Sequence, residues 1–231
     1  TTISENVYQH IRYAQINRAL VMLHGDAGAG KTEAATQYRR NNPSSTVYIS
    51  LHPSTAGLAG VGALLCEELG LPLSGGTSQM WMNIRRQLRG TNKVVIVDEA
   101  QLLKRASLDE LRILPDEDKI SGTAGNGVVL IGNSELYERV KRGKVTSQTY
   151  TRIALQHSYS TAKLTMEDIR LLFPMFAGED KREELRLIAS ICRSQHSIRA
   201  AKSAVENAIY NGDISYNGLR AAASGTSVGR I

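Results

Sequence analysis

Ala19-Leu20-Val21-Met22-Leu23-His24-Gly25-Asp26-Ala27-Gly28-Ala29-Gly30-Lys31-Thr32 is the stretch on which the reading of the fold turns. Ala19–His24 is a short apolar run and reads as a buried strand. Gly25–Thr32 then fits the spacing G-x-x-x-x-G-K-[ST]. Lys31–Arg40 reads as a helix, stopped by Asn41-Asn42-Pro43. Strand, glycine-rich turn and helix in that order make a phosphate cradle, because glycines let successive N–H groups curl toward phosphate oxygens. The helix N-terminus adds partial positive charge. Lys31 is expected to reach the β- and γ-phosphates of ATP, and the Thr32 hydroxyl to hold Mg²⁺. Gly25, Asp26, Ala27, Gly28, Ala29 and Gly30 supply the loop around ATP or ADP. The alternative is a chance glycine-rich turn, which the flanking strand and helix argue against.

Working outward, Val94-Val95-Ile96-Val97-Asp98-Glu99 is an apolar strand that ends in two carboxylates. In a parallel sheet its carboxyl end lies at the edge where ligands bind. Asp98 is expected to hold Mg²⁺ through water, and Glu99 to orient and deprotonate the attacking water. A lone Asp-Glu after a strand more often caps a helix; the phosphate loop gives this one its catalytic reading. Val128–Ile131 followed by Gly132-Asn133 repeats the pattern with a polar end. Asn133 is expected either to position water near the γ-phosphate or to cap the helix Ser134–Val140.

The remaining elements follow from periodicity. Ile3, Val7, Ile11 and Ala14 mark an opening helix over residues 3–17, with Ser4 as its cap. Thr46–Leu51 and Ile153–Tyr159 read as further strands, and Leu58–Leu69 and Thr77–Arg89 as helices. Ser107 with Glu110 reads as a capping box, and Pro115–Gly127 as a loop. Strands that are apolar throughout and alternate with helices predict a parallel sheet covered on both faces, an α/β fold. From about Thr161 the strand signal stops, Thr165 and Asp168 open a helix, and apolar periodicity runs through Ile169–Phe173, Leu185–Ile191 and Ile198–Ile209. The expected organisation is a nucleotide-binding core over 1–160 and an all-helical domain over 161–231, with a frayed tail from Ser224.

Composition narrows the partners. The 231 residues carry 28 Lys and Arg against 22 Asp and Glu, a net charge of +6 that favours an acidic partner such as nucleic acid. Cys66 and Cys192 sit far apart in apolar contexts and read as buried free thiols, which places the chain in a reducing cytoplasm. The apolar runs are too short to cross a membrane. The polar start has neither a signal segment nor an initiator Met, so an N-terminal module ahead of it is left open.

At this point the motifs resemble a known group. The phosphate loop, the acidic strand end, the polar strand end and the helical C-terminal domain, in this order, look like an AAA+ ATPase of the P-loop NTPase class. Gly30-Lys31-Thr32-Glu33-Ala34-Ala35, Tyr38-Arg39-Arg40, Glu68-Leu69-Gly70, Asp98-Glu99-Ala100, Glu110-Leu111-Arg112 and Arg152-Ile153-Ala154 resemble the phage Mu B transposition protein family and its TnsC-type relatives. The likeness runs from Val7 to about Ala208. It implies an ATP-dependent, sequence-nonspecific protein that assembles as a homo-oligomeric filament on duplex DNA and delivers it to a transposase, in a bacterial cytoplasm. It also implies that Glu33 belongs to the nucleotide loop.

The resemblance further implies that Arg152 is an arginine finger acting in a neighbouring subunit's site, and that Arg199 reaches the phosphates from the lid. His196-Ser197 departs from the glycine often found at that turn. Loops His52–Gly57, Ser74–Ser78 and Leu103–Ser107 would face DNA. Thr77, Lys104 and Arg105 are the candidate phosphate contacts, with Arg85 on the short helix that also carries Arg86 and Arg89, and a basic stretch from Arg139 to Arg152. A helicase loader or remodelling ATPase, and a nucleotide-controlled scaffold with little turnover, are the alternatives.

Overall fold

The computed structural model describes residues 1–141, 151–194 and 197–225. At its centre is a five-stranded sheet in the order β2-β3-β4-β1-β5, formed by β1 (Leu20–Gly25), β2 (Thr46–Ser50), β3 (Val94–Asp98), β4 (Gly127–Ile131) and β5 (Ile153–Tyr159). β1 pairs with β4, β4 with β3 and β3 with β2, all parallel. The first four strands are runs of β-branched and apolar residues, because parallel strands are buried on both sides. Val95 and Val97 join one core cluster with Val61, Leu65, Trp81 and Ile84. Their strand neighbours Val94 and Ile96 are just as buried and, by the two-residue pleat, point to the opposite face.

That alternation requires helices on both faces, and the chain supplies them: α1 (Thr2–Asn17), α2 (Lys31–Asn41), α3 (Leu58–Leu69), α4 (Thr77–Leu88), α5 (Arg105–Leu111) and α6 (Ser134–Lys141). α3 and α4 pack together, and the Trp81 indole donates to the Leu58 carbonyl at 3.1 Å. α1 lies so close to the start of β4 that a Cβ on Gly127 would sit 2.2 Å from the Ala14 carbonyl oxygen. Only glycine fits that contact.

Four sequence expectations change here. β5 is not apolar throughout: Ala154, Gln156 and Ser158 are exposed, as suits a strand at the sheet edge. α1 is capped by Thr1, whose Oγ1 accepts the Ser4 amide at 3.2 Å, so Ser4 is the bonded third residue and not the cap. Ser107 and Glu110 form no capping box. The helix begins at Arg105, and Ser107 lies inside it, fully buried, with its hydroxyl donating to the Ala56 carbonyl at 3.0 Å. Arg105 accordingly opens a helix instead of lying in a loop.

The chain forms two compact units. One comprises residues 6–24 and 31–158; the other comprises 1–5, 25–30 and 159–231. The second unit contains α7 (Met166–Leu172), α8 (Arg182–Arg193), α9 (Ser197–Tyr210) and α10 (Tyr216–Ser224). Thr165 and Asp168 open α7 as expected, and the two side chains complete a capping box there. Burial works against the Asp168 charge, yet hydrogen bonds from the amides and hydroxyls of Thr165 and Thr2 hold its carboxyl below the ordinary range. α10 is additional to the expected helices. Cys66 and Cys192 are free and buried, and burial pushes the Cys192 thiol up to about 12.

Candidate nucleotide site

The phosphate loop leaves β1 and enters α2. Gly28 and Gly30 have φ of 72° and 92°, in the left-handed region that a side chain resists. Their amides hydrogen-bond to no other group among the described residues. A Cβ on Gly30 would meet nothing within 4 Å, so glycine is needed there for backbone shape and the space beside it is open. A curled backbone with unengaged donors beside a helix N-terminus fits an anion such as a triphosphate.

Gly25 and Asp26 do other work. A Cβ on Gly25 would lie 2.0 Å from the Tyr159 carbonyl oxygen. The Asp26 amide donates to that carbonyl at 2.9 Å, and its carboxylate accepts the Ser160 hydroxyl at 2.9 Å and the Thr161 amide at 2.8 Å. The acidic side chain in the loop thus binds the segment that follows β5. On the other side of the loop, the positive-φ residue Ser197 and the Cβ of Arg199 lie beside Gly28. Arg199 itself is exposed. His196 lies outside the described residues.

In the other unit, Lys31 is buried and Thr32 exposed at the start of α2, and Glu33 pairs across the exposed helix face with Arg40 at 3.8 Å. Register sets the remaining groups. Val97 is level with Leu130, and Leu23 with Ile131, so His24, Asp98 and Gly132-Asn133 emerge together at the carboxyl edge of three adjacent strands. Asp98 is 2% exposed. Its carboxylate accepts the Tyr48 hydroxyl at 2.8 Å and the Glu99 amide at 2.9 Å. Burial and the Asp98 charge together push the Tyr48 phenol far above its ordinary range, so it stays a neutral donor. With both oxygens already engaged, Asp98 suits a metal held through water. Among the described residues no group of three or more His, Cys, Asp or Glu could hold a metal unaided, so Mg²⁺ here would depend on phosphate oxygens.

Glu99 is exposed and sits at φ 55°, ψ 34°, a left-handed conformation uncommon for a long side chain. Its carboxylate accepts from the Gln101 side-chain amide, and the Gln101 Oε1 accepts the Asn133 amide at 3.4 Å. Asn133 Oδ1 accepts the Glu135 amide at 2.9 Å, so Asn133 does cap α6. His24, one residue before the loop, stacks on Tyr137 with ring centroids 4.8 Å apart. Burial first, then the Lys31 ammonium and His157, lower its pKa.

Tyr48 and Gln101 at the strand ends, and Ser160 and Thr161 on Asp26 in the other unit, have no motif of their own. Gln101 follows the acidic pair by two residues, and that proximity was its only signal.

Arg152, two residues into the described chain after residue 150, pairs with Asp116. Arg85 pairs with Glu110 and Arg89 with Asp118. Arg139 donates to the Gln101 carbonyl and, at 2.6 Å, to the Leu103 carbonyl. Lys104 and Arg105 are exposed, Lys104 beside Gly57, and Thr77 opens α4 after Gly76, with no side-chain cap. Arg142 and Lys144, the middle of the basic stretch, lie outside the described residues.

A phosphate loop, an acidic strand end and a polar strand end on one parallel sheet define a P-loop nucleotide-binding protein, and the chain belongs to the AAA domain family, whose model matches residues 15–140. Two relatives sharpen the class. The Mu-like prophage FluMu DNA transposition protein B of Haemophilus influenzae is 29% identical over 204 residues, covering 86% of this chain and 68% of that protein. The ATP-dependent target DNA activator B of Escherichia phage Mu is 30% identical over 218 residues, covering 87% of this chain and 65% of its own length. The chain thus spans about two thirds of the curated relatives it matches. These are proteins of the group that the sequence motifs resemble. The solved structure of the Aeropyrum pernix ORC2 protein in its ADP form shares the fold, with a TM-score of 0.71 at 16% identity over 94% of this chain and 67% of that one. Among the described residues no helix is long and apolar enough to cross a membrane.

Proposed function

We propose that this chain binds Mg·ATP and hydrolyses it to ADP and phosphate. The observation that carries the reading is the shared carboxyl edge of β1, β4 and β3, where Asp98 with Glu99 and Gly132-Asn133 emerge level with the end of the strand that leads on to Lys31 and Thr32. Lys31 and the amides of Gly28 and Gly30 take the phosphates. Thr32 and, through water, Asp98 take Mg²⁺, which when bound neutralises phosphate charge. Glu99 orients a water and accepts its proton as the bond to the γ-phosphoryl group breaks. Asn133, with its side chain at the same edge, positions that water, and Arg199 reads the phosphates from the helical unit.

The relatives' names, target DNA activator and transposition protein, support a role in which the ATP-bound chain assembles on duplex DNA and presents it to a transposase. Thr77 at the amino end of α4, with Lys104 and Arg105, would hold backbone phosphates without reading bases. Arg85 is committed to Glu110 and contributes least to such a surface. Arg152 would enter the site of a neighbouring copy.

Replacing Glu99 with Gln tests the catalytic core. The variant is expected to bind Mg·ATP within about threefold of the unaltered chain and to lose about 100-fold or more in turnover, the usual scale for a removed general base. Turnover at the original rate would overturn the role given to Glu99.

A further inference from the structure

Glu99 cannot orient a water unless its own carboxylate is held, and its setting is demanding. The residue is exposed, follows a strand and occupies left-handed backbone. A flexible glutamate at such a place loses side-chain entropy when fixed, so some neighbour must fix it. Gln101 is that neighbour. Its Nε2 donates to a Glu99 carboxylate oxygen while its Oε1 accepts the backbone N–H of Asn133. One planar amide therefore touches both strand ends of the proposed site. It sits tightly there: a Cβ on Gly132 would come within 2.8 Å of Gln101 Oε1.

The backbone of Gln101 is held as well. Arg139, on the helix that Asn133 caps, sends one arm of its guanidinium to the Gln101 carbonyl and the other to the Leu103 carbonyl. A forked, charged donor on two carbonyls two residues apart fixes the turn between them. The helix, its cap, the turn and the glutamate thus form one closed set of bonds within a single compact unit.

We propose that Gln101 is the positioning residue for Glu99: its amide sets the direction of the carboxylate relative to Asn133, and Arg139 holds Gln101 in place to do so. This rests on the hydrolytic reading above. Removing the amide leaves phosphate binding intact, because no atom of Gln101 belongs to the loop or to α2, and lowers the rate of the chemical step.

The test is steady-state ATP hydrolysis with nucleotide-binding titrations for Gln101→Ala and Gln101→Glu beside Glu99→Gln. Gln101→Ala is expected to lower kcat about tenfold or more while KM and nucleotide affinity stay within about twofold. Gln101→Glu keeps the length and the acceptor for the Asn133 amide but replaces the donor with a second carboxylate. It is expected to lower kcat as well, by like-charge repulsion that turns the Glu99 carboxylate away, while nucleotide affinity again stays within about twofold. Should Gln101→Ala fold poorly, this second variant carries the test alone. An unchanged kcat in the folded variants, or a fall in kcat matched by an equal loss of nucleotide affinity, would overturn the proposal. If Glu99→Gln itself hydrolyses ATP normally, the hydrolytic reading fails instead, so the two failures are told apart.

Discussion

Asp26 shows how far one residue's role can depart from its place in a motif. It stands second in the phosphate loop, where a carboxylate would repel a triphosphate, yet its charge is spent on Ser160 and Thr161. Thr161 is 2% exposed, so truncating Asp26 leaves a buried amide and hydroxyl without their acceptor. Such orphaned groups cost about 1–3 kcal/mol. Asp26→Ala is expected to lose that much stability in urea unfolding and to bind Mg·ATP more weakly because the loop is no longer tethered, while Asp26→Asn, which keeps one acceptor, loses less. Unchanged stability in Asp26→Ala would show that the contact is incidental.

At the scale of elements, the end of β1 carries a pH dependence. His24 is 5% exposed, and its Nδ1 has no hydrogen-bond partner among the described residues. Gln156 Nε2 lies 3.1 Å from the other ring nitrogen. The Gln156 amide group is a donor, so Nε2 of the ring accepts and the proton rests on Nδ1. Because the folded pKa is lowered from 6.5, the unfolded chain takes up a proton first as pH falls. The stability contributed by the neutral ring is therefore whole above about pH 7, and is lost progressively below pH 6.5 down to the lowered folded value. His10, lowered by burial and then by His157, adds to the same slope. One such group contributes at most about 1.4 kcal/mol per pH unit. Urea unfolding at pH 5.5, 6.5 and 7.5 should show the loss, and a His24→Gln chain should show less of it; equal slopes would contradict the assignment.

The same scale shows what was legible. Val94–Val97 and Val128–Ile131 could be placed to within a residue because a buried parallel strand is apolar on both sides, and turn residues bound it. The edge strand Ile153–Tyr159 could be placed as well, but its outward-facing Gln156 and Ser158 break the all-apolar pattern expected of it. α10, Tyr-Asn-Gly-Leu-Arg-Ala-Ala-Ala-Ser, buries only Leu219, Ala222 and Ala223, too small a stripe to stand out from a polar tail. Ser107 matched a capping pattern that tertiary packing overrode: its hydroxyl finds Ala56, 51 residues away. In the site, the residues that would touch phosphate or water were readable from spacing. Those that hold them in place, Tyr48, Gln101 and Thr161, depend on contacts across the sheet that no local pattern records.

At the scale of the whole molecule, we propose that Arg152 acts in the site of a neighbouring copy. Its present partner, Asp116, is an exposed acid, and the two side chains are 40% and 47% exposed. An ion pair at that exposure is worth about 0–1 kcal/mol and can be exchanged for a phosphate group. Arg152→Ala and Lys31→Ala chains should each be inactive alone, and an equal mixture should regain about one quarter of the activity, because only one random pairing in four joins an intact loop to an intact finger. No recovery on mixing would place Arg152 outside the neighbour's site.

If the loop leaving β1 grips a triphosphate, isothermal titration of Mg·ATP into the purified chain will register it. One site per chain is expected, weakened by about 2 kcal/mol or more, some 30-fold, in a folded Lys31→Ala variant, the scale of a lost charge-assisted hydrogen bond. Heat of binding that is absent in the unaltered chain, or unchanged in Lys31→Ala, would contradict it.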